Sequence, residues 1–107
     1  MKKMPIMLPM LFVAMPVLAE TPVYEIEIKQ HLFIPSEITI PQATKIKLVI
    51  YNRDSSSEEF ESNRLNREKM ILAGRKGILY IGPLEAGEYP FSGEFHPKTA
   101  VGRIIVK

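Results

Sequence analysis

Polar and apolar side chains alternate with a period of two along much of this chain, and that pattern predicts strands. Tyr24, Ile26 and Ile28 interleave with Glu25, Glu27 and Lys29, which suits a half-buried strand. After a tight corner over Gln30-His31-Leu32-Phe33-Ile34-Pro35, Ile38 and Ile40 alternate with Glu37 and Thr39 as far as Pro41. Pro35 and Pro41 cannot donate to a ladder and so mark strand limits. Lys45 to Tyr51 places Ile46, Leu48 and Ile50 on one face, and Asn52-Arg53-Asp54 with three serines reads as the following turn. Glu58 to Ser62 predicts a short extended stretch with Phe60 inward, while Asn63 to Met70 reads equally as a helical turn or an irregular loop. Lys76 to Ile81, Glu88 to Phe91 and Val101 to Val106 supply further strands, separated by turns at Gly82-Pro83 and Glu85-Ala86-Gly87. Seven or so short strands without a long helical pattern predict an all-β fold, a two-sheet antiparallel Greek-key β-sandwich.

Residues 1–19 carry a different pattern. Lys2 and Lys3 form a positive n-region, Ile6 to Val17 an apolar h-region, and Val17-Leu18-Ala19 a cleavage motif, so the segment reads as a signal peptide cut before Glu20. Its apolar run, interrupted by Pro5, Pro9 and Pro16, is short for a bilayer span, which takes about 20 apolar residues. Residues 20–107 then form one small domain with no membrane span of its own. Without Lys2 and Lys3, the remainder of the 14 basic side chains equals the 12 acidic ones. A near-neutral domain lacks the clustered basic face that marks nucleic-acid binding. Cysteine is absent, which excludes disulfides and thiolate ligands in an exported protein.

Candidate chemistry gathers near the C-terminus, in Gly87-Glu88-Tyr89-Pro90-Phe91-Ser92-Gly93-Glu94-Phe95-His96 followed by the strand-like Gly102-Arg103-Ile104-Ile105-Val106. This stretch resembles the ligand loop of a cupredoxin. In that frame Gly93 stands where a cysteine is expected, His96 where the histidine is, and Ala100 where a methionine is. Upstream, His31 to Ile38 resembles the first corner of that family, Lys45 to Asn52 its asparagine-ended strand, and Glu58-Glu59-Phe60 the region of its upstream histidine ligand. Glu59-Phe60-Glu61-Ser62, Leu65-Asn66-Arg67-Glu68-Lys69, Tyr80-Ile81-Gly82-Pro83-Leu84 and Gly93 to Ala100 are similar to the small periplasmic EfeO-type cupredoxin-like proteins associated with Ftr-type ferrous-iron uptake. The resemblance implies a periplasmic helper working beside a periplasmic iron-binding protein and a membrane iron permease. It further implies a mononuclear site at one end of the sandwich, with Glu58 near His96.

His96 offers an imidazole and Glu58 a hard carboxylate, with His31 as a second imidazole from the first corner. Glu59, Glu61 and Met70 complete the candidate metal ligands. Loss of soft sulfur shifts such a set from copper(I) toward copper(II), zinc or iron. Copper is the expected cofactor, and iron the ion to be oxidised or passed on. The plainer readings are a polar corner residue for His31, a solvated edge for the Glu58-Glu59-Phe60-Glu61 run, with Glu59 and Glu61 opposite Phe60, and a metal-free docking module for the whole domain. A nucleophile beside a base, a glycine-rich phosphate cradle and a zinc helix are all missing from the sequence.

Overall fold

A computed structural model describes residues 2–7, 9–11 and 20–107. The h-region and the cleavage motif of the signal-peptide reading fall largely outside the described residues. Among those described, no helix is long and apolar enough to cross a membrane.

Among the described residues nine strands form two sheets: β1 (Val23–Lys29), β2 (Leu32–Ile34), β3 (Glu37–Ile40), β4 (Ile46–Asn52), β5 (Glu58–Ser62), β6 (Arg67–Ile71), β7 (Lys76–Ile81), β8 (Gly87–Gly93) and β9 (Val101–Val106). The four-stranded sheet runs β2-β1-β4-β7 and the five-stranded sheet β3-β9-β8-β5-β6. Each alternation becomes a strand because one face of it is buried. Ile26 and Ile28 of β1, Ile46, Leu48 and Ile50 of β4, and Leu79 and Ile81 of β7 meet Ile38, Ile40, Phe60, Phe91, Ile104 and Val106 of the other sheet. Three phenylalanines pack at the centre: Phe33 stands edge-on to Phe91 at 4.9 Å, and Phe60 lies tilted against Phe91 at 5.0 Å.

The β-sandwich is as expected, but its sheets are mixed rather than antiparallel. β1 pairs parallel with β4, and β3 parallel with β9. The cause is the break at Pro35-Ser36, where the chain leaves one sheet for the other. β1 and β4 therefore become neighbours without being joined by a hairpin. Pairing of β2 back onto β1 turns the first corner into a tight hairpin. Both of its turn residues, Gln30 (φ 52°) and His31 (φ 58°), adopt the left-handed conformation that a two-residue hairpin turn of this hand requires.

The ambiguous stretch resolves into a turn over Asn63 to Asn66 and then β6. Ser62 explains the turn: its hydroxyl donates to the Pro90 carbonyl (2.7 Å) and accepts from the Leu65 N–H (3.2 Å). The turn is thereby pinned to β8, and Leu65 is drawn into the core.

Candidate metal centre

β5 sets the site. Glu58, Phe60 and Ser62 share the inward face of β5, so the apolar stripe ends in a carboxylate. Glu58 is only 2% exposed. Burial of a carboxylate is costly unless it is hydrogen-bonded, and this one is. Its Oε1 accepts the backbone N–H groups of Glu59 and Phe95, both at 2.9 Å. Its Oε2 lies 2.8 Å from His96 Nδ1. With the carboxylate ionised both of its oxygens only accept, and His96 Nδ1–H is then the donor to Oε2.

His96 sits at the centre of the loop between β8 and β9. The loop closes on itself: Gly93 N–H donates to the Ala100 carbonyl (2.7 Å), Ala100 N–H to the His96 carbonyl (2.8 Å) and Thr99 N–H to the same carbonyl (3.2 Å). This fixes the backbone of His96, and Glu58 fixes its ring. A histidine whose Nδ1–H is held by a carboxylate keeps its Nε2 lone pair for a ligand, the arrangement found behind most metal-binding imidazoles. The His96 side chain is 31% exposed.

His31 reaches the same end and stacks on His96, with ring centroids 3.6 Å apart and planes within 14°. Its own Nδ1 lies 3.4 Å from Asp54 Oδ2. Asp54 was legible in the sequence only as a turn residue, yet it builds the corner. Its carboxylate accepts the N–H groups of Gln30 (2.7 Å) and His31 (3.0 Å). Burial alone would raise the Asp54 carboxyl, but those two donors and the nearby His31 and His96 rings outweigh it and hold it below the ordinary range. Buried Asn52 positions Asp54 in turn: its Oδ1 accepts the Asp54 N–H (3.0 Å), while its amide donates to the Ser56 and Ile71 carbonyls.

The remaining candidates do not join the site. Glu59 and Glu61 point to the outer face of the five-stranded sheet, as the period of two dictates. There Glu94 lies against Glu59 and raises its carboxyl, first by a shared hydrogen bond, then by partial desolvation and repulsion. Met70 pairs with Glu59 across β5 and β6 and shares that outer face, so it cannot return a soft ligand to the His96 end. Glu58 is the orienting carboxylate of His96, with both oxygens engaged, rather than a free ligand.

A resident copper ion of the cupredoxin kind does not fit this donor set. Gly93 supplies no thiol and Ala100, fully buried, no thioether. Metal–nitrogen bonds of about 2.0–2.1 Å form in the ring plane, and two face-stacked rings hold their Nε2 lone pairs in separate, nearly parallel planes rather than in one shared by a single ion. Among the described residues no group of three or more His, Cys, Asp or Glu side chains stands ready to hold a metal ion.

The profile of the cupredoxin-like domain matches residues 4–106. An uncharacterized protein of Rickettsia prowazekii (strain Madrid E) is 44% identical over 82 residues, which span 77% of this chain and 66% of that protein. Solved structures share the fold at low identity. The metal-binding domain of the Cu(I)-exporting P-type ATPase of Streptococcus pneumoniae D39 superposes with a TM-score of 0.72 at 16% identity, covering 84% of this chain and 91% of that one. Auracyanin A, a blue copper protein of Chloroflexus aurantiacus, gives 0.72 at 13% identity, covering 82% and 100%. A purple cupredoxin of Nitrosopumilus maritimus gives 0.59 at 21% identity, covering 78% and 98%. With the family match spanning nearly its whole length, two packed sheets and a histidine loop ahead of the last strand, the chain belongs to the cupredoxin-like domain family.

Proposed function

We propose that this protein is an exported, periplasmic helper of ferrous-iron uptake that receives a divalent transition ion at His96 and passes it on, without a resident copper. One observation carries the reading: the His96 ring is held through Nδ1 by a buried carboxylate, which leaves Nε2 as the nitrogen open to a ligand on a half-buried side chain. Such a site offers one fixed ligand and leaves the other positions to water or to a partner's groups. Open coordination of that kind favours exchange over storage. Iron(II) and copper(II) both accept imidazole nitrogen, and iron is written here as cargo. The absence of a copper-holding donor set favours transfer over the oxidation that copper(II) would otherwise support. By family resemblance the recipients are a periplasmic iron-binding protein and a membrane permease.

Titration of the full chain with Fe²⁺ under anaerobic conditions, and separately with Cu²⁺, tests this by calorimetry. Expected is weak one-to-one binding that His96→Ala abolishes. Binding that survives His96→Ala overturns the assignment of this residue.

A second reading, a metal-free module that docks on the iron-binding partner, is favoured by the surface around His96. Phe95 is 49% exposed, and a shallow, largely apolar cavity of 310 Å³ is lined by Phe95, His96, Pro97, Lys98 and Thr99. If neither ion binds, this reading replaces the first.

A further inference from the structure

We infer that the Glu58 carboxylate takes the place of a bound ion: beside the backbone hydrogen bond from Glu94 N–H to the Glu59 carbonyl (2.9 Å), it is the side-chain cross-link that holds the β8–β9 loop to β5, and Gly93 is glycine to make room for it. Three observations meet at this point. Glu58 reaches from β5 to two points of the loop, the Phe95 N–H and the His96 ring, while closing on its own neighbour Glu59. An ion shared by an upstream strand and this loop would tie the same two elements together.

The second observation is steric. A Cβ at Gly93 would fall 2.5 Å from Glu58 Cδ, 2.7 Å from Oε2 and 2.8 Å from Ala100 Cβ. Gly93 is absent from the residues with positive φ, so its backbone is one that any residue adopts. The glycine is therefore required for space and not for a turn. Glu58 and Gly93 form one complementary unit, in which the carboxylate fills the volume that a side chain at position 93 would claim.

The third is polar accounting. Among the described residues every buried side-chain nitrogen and oxygen has a hydrogen-bond partner. No donor or acceptor is left aimed inward at an ion. The buried side of the site end is closed by hydrogen bonds, and its rigidity comes from them.

This inference concerns the Nδ1 side of His96, whereas the ion-passing reading rests on Nε2, so each fails separately. Added Fe²⁺ or Cu²⁺ that raises the melting temperature speaks only to Nε2. The cross-link is tested on the purified full chain by thermal unfolding. EDTA is expected to leave Tm unchanged within about 1 °C, and Glu58→Ala to lower it by more than about 10 °C, since two backbone N–H groups and His96 lose their shared acceptor. Gly93→Ala is expected to lower Tm in the wild-type background and much less in the Glu58→Ala background, the signature of two residues competing for one volume. A fall of several degrees with EDTA overturns the inference, as does an equal cost of Gly93→Ala in both backgrounds. Should Glu58→Ala prove too unstable to purify, Glu58→Asp, whose shorter side chain withdraws the carboxylate from the space beside Gly93, serves in its place for the cycle. A last arm uses Gly93→Cys with Glu58→His, which sets a thiolate and a further imidazole beside His96 and His31. Visible thiolate-to-copper(II) absorption is expected from this pair after Cu²⁺ addition. A folded pair without that band shows that the carboxylate does not sit where an ion would, and overturns the inference.

Discussion

Asp54→Ala is predicted to loosen the site from the side opposite Glu58. The Gln30-His31 corner holds two non-glycine residues at positive φ, a conformation costing roughly 1–2 kcal/mol per residue. Asp54 offsets that cost by accepting both of their N–H groups. Hydrogen bonds to a charged acceptor contribute about 1.5–3 kcal/mol each. The Asp54 side chain is 14% exposed, so water replaces part of what the substitution removes, and a net loss of about 2 kcal/mol is expected. For a domain of this size that is a fall in Tm of roughly 8–16 °C. The loss should be partly rescued by Gln30→Asn with His31→Gly, residues that take a left-handed turn at lower cost.

The same prediction fixes a pH dependence. Asp54 titrates below its ordinary value of 3.8 in the folded state, so its contribution is fully present above that value. It is lost as pH falls through the lower folded value. Urea unfolding of wild type and variant from neutral pH down to about pH 2, well below the ordinary carboxylate value, measures the gap. A gap under about 0.5 kcal/mol at neutral pH, judged against the roughly 2 kcal/mol expected, would refute the argument. So would a gap that stays constant into acid.

The other predictions concern separate parts of the fold. Gly102→Ala would place a Cβ 2.4 Å from the Ser36 carbonyl oxygen and 2.5 Å from Phe91 Cζ, and is expected to cost about 2–3 kcal/mol by overpacking; unchanged unfolding midpoints would contradict it. Arg103→Ala removes ion pairs to Glu37 (2.8 Å) and Glu88 (3.0 Å) that tie β3, β9 and β8 together at the surface. The expected cost is small in low salt and smaller still in high salt, since exposed pairs are screened, which paired denaturation curves will read. Glu94→Gln takes a negative charge from beside Glu59, whose raised carboxyl should then return toward its ordinary range. Carboxyl carbon NMR titration follows that shift, and an unmoved Glu59 would place the cause elsewhere. In the wild type, protonation of this crowded carboxyl relieves repulsion, so this pair by itself favours the folded state as pH falls.

The strands were legible because their period of two reflects a buried face, and the pairing of Glu58 with His96 followed from the cupredoxin-like order of the motifs. Even the inward aim of Glu58 had a signal in the sequence, since it shares parity with Phe60. Met70 was misplaced because the Asn63 to Asn66 turn sets the parity of β6, and that turn is fixed by Ser62 contacting Pro90, a residue far along the chain. Asp54 escaped notice for a like reason. Its partners Gln30 and His31 lie more than twenty positions upstream, brought close only by the parallel pairing of β1 and β4. Parallel pairing leaves no local mark, and β2 is too short to show a period. The role of Glu58 as an orienting group rather than a ligand depends on the Phe95 N–H, a backbone donor to which side-chain spacing is blind.

The ion-passing role proposed for the site rests on which nitrogen of His96 carries the proton. Nitrogen-15 NMR of the imidazole side chains at about pH 8, above the ordinary histidine range, reads this directly. The account predicts that His96 is neutral with its proton on Nδ1, coupled to Glu58 and lost as a signature in Glu58→Ala, and that Zn²⁺ perturbs Nε2 first. A proton found on Nε2, with Nδ1 bare, would contradict it.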